Sequence, residues 1–245
     1  MSFDNAVFIS DLHLTEDRPD CIRAFFSFLE WLPTSTDALF ILGDFFEYWV
    51  GDDIDTRLSQ DITEKLNDTN STKGISLFFI PGNRDFSVGH SYCTKAGMTL
   101  MPDNRIFSIA GLKVLTCHGD LLCTDDVGYQ RFRKIIRTPI VLNTLLQLPI
   151  SIRIKIAQRL RQNSKTKFNK NRFYVDVNAQ AVDELFDSSH ADVIVHGHTH
   201  LADIHLCGNE NKRMVLGDWH EVGWYGVIDA NGPRLHRFDI KNPAF

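Results

Sequence analysis

The sequence has few cysteines and no long apolar run. Its five cysteines include no Cys-x-x-Cys pair, and this argues against a disulfide framework and against a cysteine-based zinc site. No segment reaches the roughly 18–20 continuous apolar residues that a membrane-spanning helix needs. The first residues also lack the basic stretch and apolar run of a signal peptide. We therefore expect a cytoplasmic protein with reduced thiols.

Acidic residues are missing from one long segment. Residues 131–172 contain twelve Lys and Arg and no Asp or Glu, although the 245-residue chain has a net charge of −5. The rest of the chain therefore carries a net charge of −17. Such a segment predicts contact with an anionic ligand or surface. The alternative is a solvated pair of basic helices packed on the acidic body.

Short apolar runs alternate with helix-like stretches, as a layered α/β protein requires. Residues 105–117 are typical of a β-hairpin, and further strands near residues 213–238 predict a second, partly antiparallel sheet. At this length we expect a single domain covering residues 1–245. The main predicted strands, each followed at once by polar residues, are Ala6–Ile9, Ala38–Leu42, Leu77–Ile80, Val114–Cys117 and Val193–Val195.

The polar side chains after these strands form the strongest chemical signal. Ligands of open α/β sheets bind beyond the carboxyl ends of strands, and residues two apart in extended backbone point the same way. Carboxylate, imidazole and amide groups together suit Mn²⁺, Fe²⁺ or Zn²⁺. Seven candidates are too many for one zinc and fit two ions about 3.5–4 Å apart that share an activated water. The candidates are Asp11, His13, Asp44, Asn83, His118, His198 and His200.

Each candidate ligand has an ordinary alternative. A single Asp or His after a strand is often a capping or otherwise satisfied polar group. The joint occurrence of seven at strand ends makes that explanation weak for the set. His196 belongs to the strand side of the same cluster, so we favour a structural role for it.

The order of motifs, D-x-H, GD-x-x-E, GN-R-D, H-G-D and GH-x-H, resembles the calcineurin-like metallophosphoesterase superfamily. The resemblance implies two β-sheets flanked by helices. It implies that Asp44 bridges two metal ions. One ion would also be bound by Asp11, His13 and His200, and the other by Asn83, His118 and His198.

Arg84 departs from the superfamily pattern, which usually has histidine there. Histidine can protonate an alkoxide leaving group, whereas arginine stays charged and cannot. A phosphate monoester leaves without a proton, and arginine can stabilise its charge by forked hydrogen bonds. The pattern therefore indicates a diphosphate substrate. The alternative is a structural salt bridge of Arg84 with Asp85 or another carboxylate.

Longer stretches narrow the resemblance to the UDP-2,3-diacylglucosamine pyrophosphatases of bacterial lipid A synthesis. They comprise residues 42–53, 82–86, 118–126, 163–165, 176–178 and 196–200. The resemblance implies attack of water on the α-phosphate of the UDP-linked lipid, usually with Mn²⁺, releasing UMP and 2,3-diacylglucosamine 1-phosphate. It implies catalytic roles for Asp44, Asn83, Arg84 and His118. It implies substrate contacts from Asn83, Arg84, Asp126, Ser164, Lys167, Lys170 and His198, with the lysine register open by one residue.

Residues 129–174 would form a helical lid between the strand ending at His118 and the strand leading to His198. The apolar residues at 139–149 would wall a channel for acyl chains. We interpret residues 150–160 as helix, although Ile152–Ile156 also alternates like a strand. The lid cations would attract the diphosphate and an anionic membrane. We expect peripheral binding to the cytoplasmic face of the inner membrane, and no nucleic acid or obligate protein partner.

Two other functions stay open at this point. The chain could be a phosphoesterase of nucleic acid or cyclic nucleotides, with the basic segment as its phosphate-binding surface. Few aromatic residues interleave with those cations, and this argues against it. The chain could also be a non-catalytic scaffold with a decayed metal site, which the full set of seven ligands makes less plausible.

Overall fold

A computed structural model describes residues 1–171 and 176–245, except for the side chains of residues 163–171 and 209. The strands within these residues are β1 (Ser2–Phe3), β2 (Ala6–Ile9), β3 (Ala38–Ile41), β4 (Ser76–Phe79), β5 (Met98–Leu100), β6 (Arg105–Ile109), β7 (Leu112–Thr116), β8 (Val193–His196), β9 (Asp203–Leu206), β10 (Lys212–Val215), β11 (Val222–Asp229) and β12 (Gly232–Asp239). The α-helices are α1 (Pro19–Trp31), α2 (Arg57–Lys73), α3 (His90–Lys95), α4 (Val127–Ile136), α5 (Pro139–Leu146), α6 (Ile150–Asn171) and α7 (Ala179–Ser189).

The strands form two six-stranded mixed sheets. The first sheet has the order β12-β11-β2-β3-β4-β5, in which β2 to β5 are parallel. The second has the order β1-β6-β7-β8-β10-β9, with β6 and β7 forming the predicted antiparallel hairpin. The expected α/β fold of two sheets flanked by helices, the second partly antiparallel, is therefore confirmed.

An aromatic ladder lies between the two sheets. Phe8, Phe40 and Phe78 occupy matching positions of β2, β3 and β4, with stacked ring centroids 5.0 and 4.9 Å apart. A slip of one residue would turn these rings to the opposite face, so their burial fixes the register of the three strands. The carboxyl ends of the strands consequently lie side by side at one edge of the sheet.

Helices cover the outer faces of both sheets. On the first sheet, α1 buries Phe25 and Phe28 in a core shared with β2 to β4. A capping box between Thr56 and Ser59 begins α2, and Gly74, with φ of 68°, ends it. On the second sheet, α7 packs through Val182 and Phe186. The two sheets and their helices thus hold the strand ends rigidly.

Helices α4, α5 and α6 lie between β7 and β8 in the chain. The helix predicted for residues 150–160 is confirmed by α6. Neither α4 nor α5, both fully described, has a fully buried residue, so their packing on the body is only partial. The segment 129–174 contains these helices except the first two residues of α4, and residues 172–175 lie outside the described chain. A lid function for this segment stays a prediction.

In residues 1–171 and 176–245, no helix combines the length and the apolarity needed to cross a bilayer.

Candidate metal centre

The loops after β2, β3 and β4 meet the loops after β7 and β8 at one edge of the sandwich. The amide oxygen of Asn83 lies 3.0 Å from His118 Nε2 and 2.9 Å from His198 Nδ1. Nε2 of His200 lies 3.2 Å from a carboxylate oxygen of Asp11. Strands distant in sequence therefore bring these predicted ligands together.

Two groups of side chains have the spacing of metal ligands. Asp11, His13 and His200 offer ligand atoms that all lie within 4.8 Å of one another, and so do Asp11, Asp44 and His118. Asp11 belongs to both groups, whereas the family resemblance gives the bridging role to Asp44. Within the described chain Asp11 is thus the carboxylate common to both groups, and the bridging role of Asp44 stays a prediction.

His13 tests whether these residues fit divalent ions. Both of its ring nitrogens are buried, and within the described chain neither has a hydrogen-bond partner. Burying an imidazole with two unsatisfied nitrogens is costly unless a further ligand contacts it. Together with the mixed carboxylate and imidazole donors around it, this observation fits a divalent transition metal.

The backbone of the centre is strained. Among the described residues, nine non-glycine residues have positive φ, and five of them are predicted ligands. Left-handed backbone costs energy for such residues and persists only where the surrounding structure enforces it, most often at functional sites. These five ligands are Asp11 (57°), His13 (50°), Asp44 (49°), His198 (66°) and His200 (59°).

Two glycines allow the loops to approach closely. A Cβ atom on Gly43, which has φ of 84°, would lie 2.5 Å from the backbone nitrogen of Gly82. A Cβ atom on Gly197 would lie 2.0 Å from Ser10 Oγ and 2.1 Å from Asp11 Oδ2. Glycine is therefore required at both positions by packing against the neighbouring loop.

Hydrogen bonds orient the ligands. The Nδ1 atom of His118 lies 2.8 Å from the carbonyl oxygen of Leu42, a contact in which the ring N–H donates and leaves Nε2 facing the centre. The Oδ2 atom of Asp11 accepts from the hydroxyl of Ser10 at 2.5 Å and from the backbone N–H of His198 at 2.9 Å. The rings and carboxylates are thus directed before any ligand arrives.

Asp85 organises the loops instead of pairing with Arg84. Its buried carboxylate accepts backbone N–H bonds from Gly82 at 2.7 Å, Phe45 at 2.8 Å, and Asp44 and Phe46 at 3.3 Å. Burial, with the nearby charge of Asp44, raises the pKa of Asp85 to about 6. The suggested Arg84–Asp85 salt bridge is therefore wrong, because both carboxylate oxygens of Asp85 are used by backbone donors.

Arg84 instead contacts two other carboxylates, so the salt-bridge alternative is confirmed in its second form, a pair with another carboxylate. Its Nε lies 3.3 Å from Asp44 Oδ2, and its Nη1 donates to Glu47 Oε2 at 2.8 Å. Nε of Arg161, from α6, donates to the other oxygen of Glu47. Sequence reasoning assigned no role to Glu47 or Arg161. The isolated acid within the aromatic stretch 45–49 was a signal for Glu47, whereas nothing distinguished Arg161 from the other cations of the basic segment.

Arginines in and directly after α4 hold that helix against the ligand loops. Arg133 donates to Asp120 at 2.7 Å and to Asp103 at 2.6 Å. Arg137 donates to the carbonyl oxygen of Gly82 at 2.7 Å. The hydroxyl of Tyr129 donates to Asp120 at 2.5 Å. Asp120, the aspartate of the H-G-D motif, therefore anchors α4 beside the ligand loops. Its role was not predicted from the sequence.

The basic segment is accordingly divided in two. Four of its described arginines, Arg133, Arg137, Arg153 and Arg161, pair with carboxylates of the acidic body, as the packed-helix alternative proposed. Its remaining described cations, Arg131, Lys134, Lys155 and Arg159, are exposed. The segment thus binds the body with one set of charges and presents another set to the surroundings.

The protonation states of His198, His13 and Asp11 suit metal ligation, whereas carboxylate charges outweigh burial and raise the pKa of His118 and of His200. Burial lowers the pKa of His198 to about 4 and lowers the pKa of His13 well below its usual value. Burial alone would raise the pKa of Asp11, but the charge and hydrogen bond of His200 outweigh it and lower that pKa overall. Neutral imidazoles and an ionised carboxylate are the forms that coordinate metal ions.

The predicted substrate contacts are placed unevenly. Asn83, Arg84 and His198 lie at the centre, and the ring of Tyr129 stacks near His198 with centroids 6.2 Å apart. Asp126 accepts from the backbone N–H of Tyr129 and caps α4. The side chains of Ser164, Lys167 and Lys170 lie outside the described residues. His196, expected to be structural, contacts the Gly197 carbonyl and Arg213.

The fold and the centre define a class of protein. The family model of the calcineurin-like phosphoesterases matches residues 5–202, a range that contains all seven predicted ligands. A similar fold occurs in Vacuolar Protein Sorting 29 from Cryptosporidium parvum, with a TM-score of 0.51, 12% identity, and coverage of 96% of this chain and 91% of that one. At this identity the likeness concerns the fold alone.

Relatives at higher identity narrow the class. The chain is 47% identical to the UDP-2,3-diacylglucosamine hydrolase of Tolumonas auensis, covering 91% of this chain and 92% of the relative. It is 43% identical to the protein of that name from Pseudomonas fluorescens, covering 96% of each chain. The chain therefore belongs to the calcineurin-like phosphoesterases and, within them, to the family of the UDP-2,3-diacylglucosamine hydrolases.

Proposed function

We propose that this protein hydrolyses the diphosphate of UDP-2,3-diacylglucosamine to UMP and 2,3-diacylglucosamine 1-phosphate, a step of lipid A synthesis. One observation carries the proposal. Asn83, His118 and His198 lie together next to Arg84, so that a cluster of metal ligands and a fixed cation are adjacent. The names of relatives at 40–47% identity agree with this substrate.

The centre would hold two divalent ions, Mn²⁺ in our proposal. Asp11, His13, Asp44 and His200 would bind one, and Asp44, Asn83, His118 and His198 the other. Such ions polarise phosphoryl oxygens and lower the pKa of bound water toward neutrality. The unpartnered nitrogens of His13 support this assignment.

Arg84 would stabilise the leaving phosphate. Its guanidinium lies beside Asp44, and it would donate forked hydrogen bonds to phosphate oxygens. A phosphate monoester leaves without protonation, so no histidine acid is needed at this position. Replacing Arg84 by Ala should lower turnover by about 100-fold or more, in line with the loss of one oxyanion donor. The metal content should stay unchanged, and unaltered turnover would refute the assignment.

The helices α4 to α6 would form the lid and the contact with membrane lipid. Val127, Ile135 and Ile140 are exposed at 53%, 61% and 81%, near the exposed cations Arg131 and Lys134. An apolar surface beside cations suits acyl chains and an anionic membrane, at about 1 kcal/mol per charge near the lipid. The protein should sediment with anionic vesicles at low salt, and protein left in the supernatant would contradict this part of the proposal.

The direct test is hydrolysis of UDP-2,3-diacylglucosamine with Mn²⁺ and detergent, following UMP. We expect UMP and the lipid 1-phosphate in equal amounts, and no product from Asp44→Ala. Cleavage of a generic phosphodiester with the lipid left intact would keep the metal centre and refute the substrate.

A further inference from the structure

Glu47 joins two arginines that come from different parts of the chain. It lies in the loop after β3, three residues beyond Asp44. One carboxylate oxygen accepts from Arg84 Nη1 at 2.8 Å, and the other accepts from Arg161 Nε in α6. All three side chains are about one-fifth exposed, so the group is largely shielded from water.

Without Glu47, the two guanidinium groups would repel each other. The two cations lie close together because both contact Glu47, and burial together with the charge of Arg84 lowers the pKa of Arg161. The negative charge of a shared carboxylate compensates one of the two positive charges, and its oxygens accept hydrogen bonds with fixed geometry. Glu47 therefore allows both arginines to lie beside the metal-ligand loops.

Arg84 is held from two sides. Its backbone N–H donates to Asp44 Oδ1 at 2.9 Å, and its Nε lies 3.3 Å from Asp44 Oδ2. The contact with Glu47 fixes the remaining end of the guanidinium. With only the Asp44 contacts, the side chain could rotate away, because a long arginine side chain has several accessible rotamers.

We infer that Glu47 is a positioning residue that holds the guanidinium of Arg84 at the place where the leaving phosphate forms and ties α6 to the loop bearing Asp44. The inference rests on the proposed diphosphate hydrolysis. Glu47 itself need not touch the substrate. Its effect on the reaction passes through Arg84, which it orients.

A double-mutant cycle tests this dependence. Glu47→Gln keeps the shape of the side chain and removes the charge, and it should lower kcat/KM about tenfold, a loss typical of removing a group that orients a directly acting residue. In the Arg84→Ala background the same change should have less than a threefold effect, because the residue through which Glu47 acts is already gone. Manganese content serves as a control and should match wild type, and activity is measured at a temperature at which circular dichroism shows every variant to be fully folded.

The matched control is Glu30→Gln. Glu30 accepts an ion-pair contact from Lys65 at 2.6 Å on the opposite, helical side of the first sheet, and its side chain is 66% exposed. This variant should leave kcat/KM unchanged. Independent, multiplying effects of Glu47→Gln and Arg84→Ala would overturn the inference, and so would wild-type kcat/KM in Glu47→Gln.

The cycle separates this inference from the proposed function. If the wild-type protein releases no UMP from the lipid, the substrate proposal fails and the cycle is measured with a soluble diphosphate ester such as a UDP-sugar, whose leaving group is likewise a phosphate monoester. With that substrate too, the effect of Glu47→Gln on kcat/KM should be large in the presence of Arg84 and small in the Arg84→Ala background. Additive effects there would refute the positioning role alone.

Discussion

Replacing Arg153 tests how the helical segment is attached to the body. Its side chain is 3% exposed and lies at the start of α6. It donates to the backbone carbonyl oxygens of Leu148 and Val50 and forms a two-pronged ion pair with Asp53. Arg153→Ala removes all of these contacts at once, whereas Asp53→Ala removes only the ion pair.

The two changes should differ in size. The two carbonyl hydrogen bonds are worth about 1 kcal/mol each. The ion pair adds at most about 1 kcal/mol, because the side chain of Asp53 is 57% exposed and its charge is screened by water. We therefore expect Arg153→Ala to lower the free energy of local opening of α5 and α6 by about 2–3 kcal/mol. Asp53→Ala should lower it by about 1 kcal/mol or less.

Amide hydrogen exchange read by mass spectrometry measures this opening. Amides of α5 and the first turns of α6 should exchange about 30-fold or more faster in Arg153→Ala, and about fivefold or less faster in Asp53→Ala. Amides of β2 and β3 should be unchanged in both variants and serve as the internal control. Equal acceleration by the two substitutions would refute the reasoning, because the exposed charge pair would then dominate over the buried carbonyl contacts.

Two further predictions concern the centre and a remote ion pair. A carboxylate oxygen of Asp218 lies 3.6 Å from Nδ1 of His200. Asp218→Asn should therefore weaken Mn²⁺ binding about tenfold, as measured by calorimetric titration. An unchanged affinity would exclude an orienting role of Asp218. The hydrogen bond from Arg234 lowers the pKa of Asp229 from 3.8 to about 2, so the stability from this pair is present above pH 4 and is lost as the pH falls through 2. In urea unfolding, Asp229→Asn should lower the free energy of unfolding by less than about 1 kcal/mol at pH 7. This loss should become smaller between pH 4 and pH 3. A loss that does not change with pH would contradict the prediction.

The strands that carry ligands were predictable from sequence because each is a short apolar run followed at once by polar residues. The predicted Ala6–Ile9 coincides with β2, and the predicted Ala38–Leu42 exceeds β3 by one residue. The exposed edge strand β9 was not predicted. Its sequence, Asp203–Leu206, alternates polar and apolar residues, but only over four residues, the shortest length at which alternation indicates a strand.

Contacts between distant side chains were not predictable. Glu47 and Arg161 are 114 positions apart, and no local pattern indicates which cation of α6 turns toward the body. Asp85 was considered as a partner for its neighbour Arg84, because proximity in sequence suggests a pair. Its actual partners are four backbone N–H groups, which become available only when the loops after β3 and β4 are folded together.

The positive φ angles at five ligand positions have a consequence for how this protein can evolve. Each such residue costs on the order of 1 kcal/mol relative to glycine, so the five together cost about 5 kcal/mol, comparable with the net stability of many domains. Selection for heat resistance alone would therefore favour glycine at these positions and remove the metal ligands. Asp and His at these five positions are therefore explained by selection for chemistry, which acts here against selection for stability.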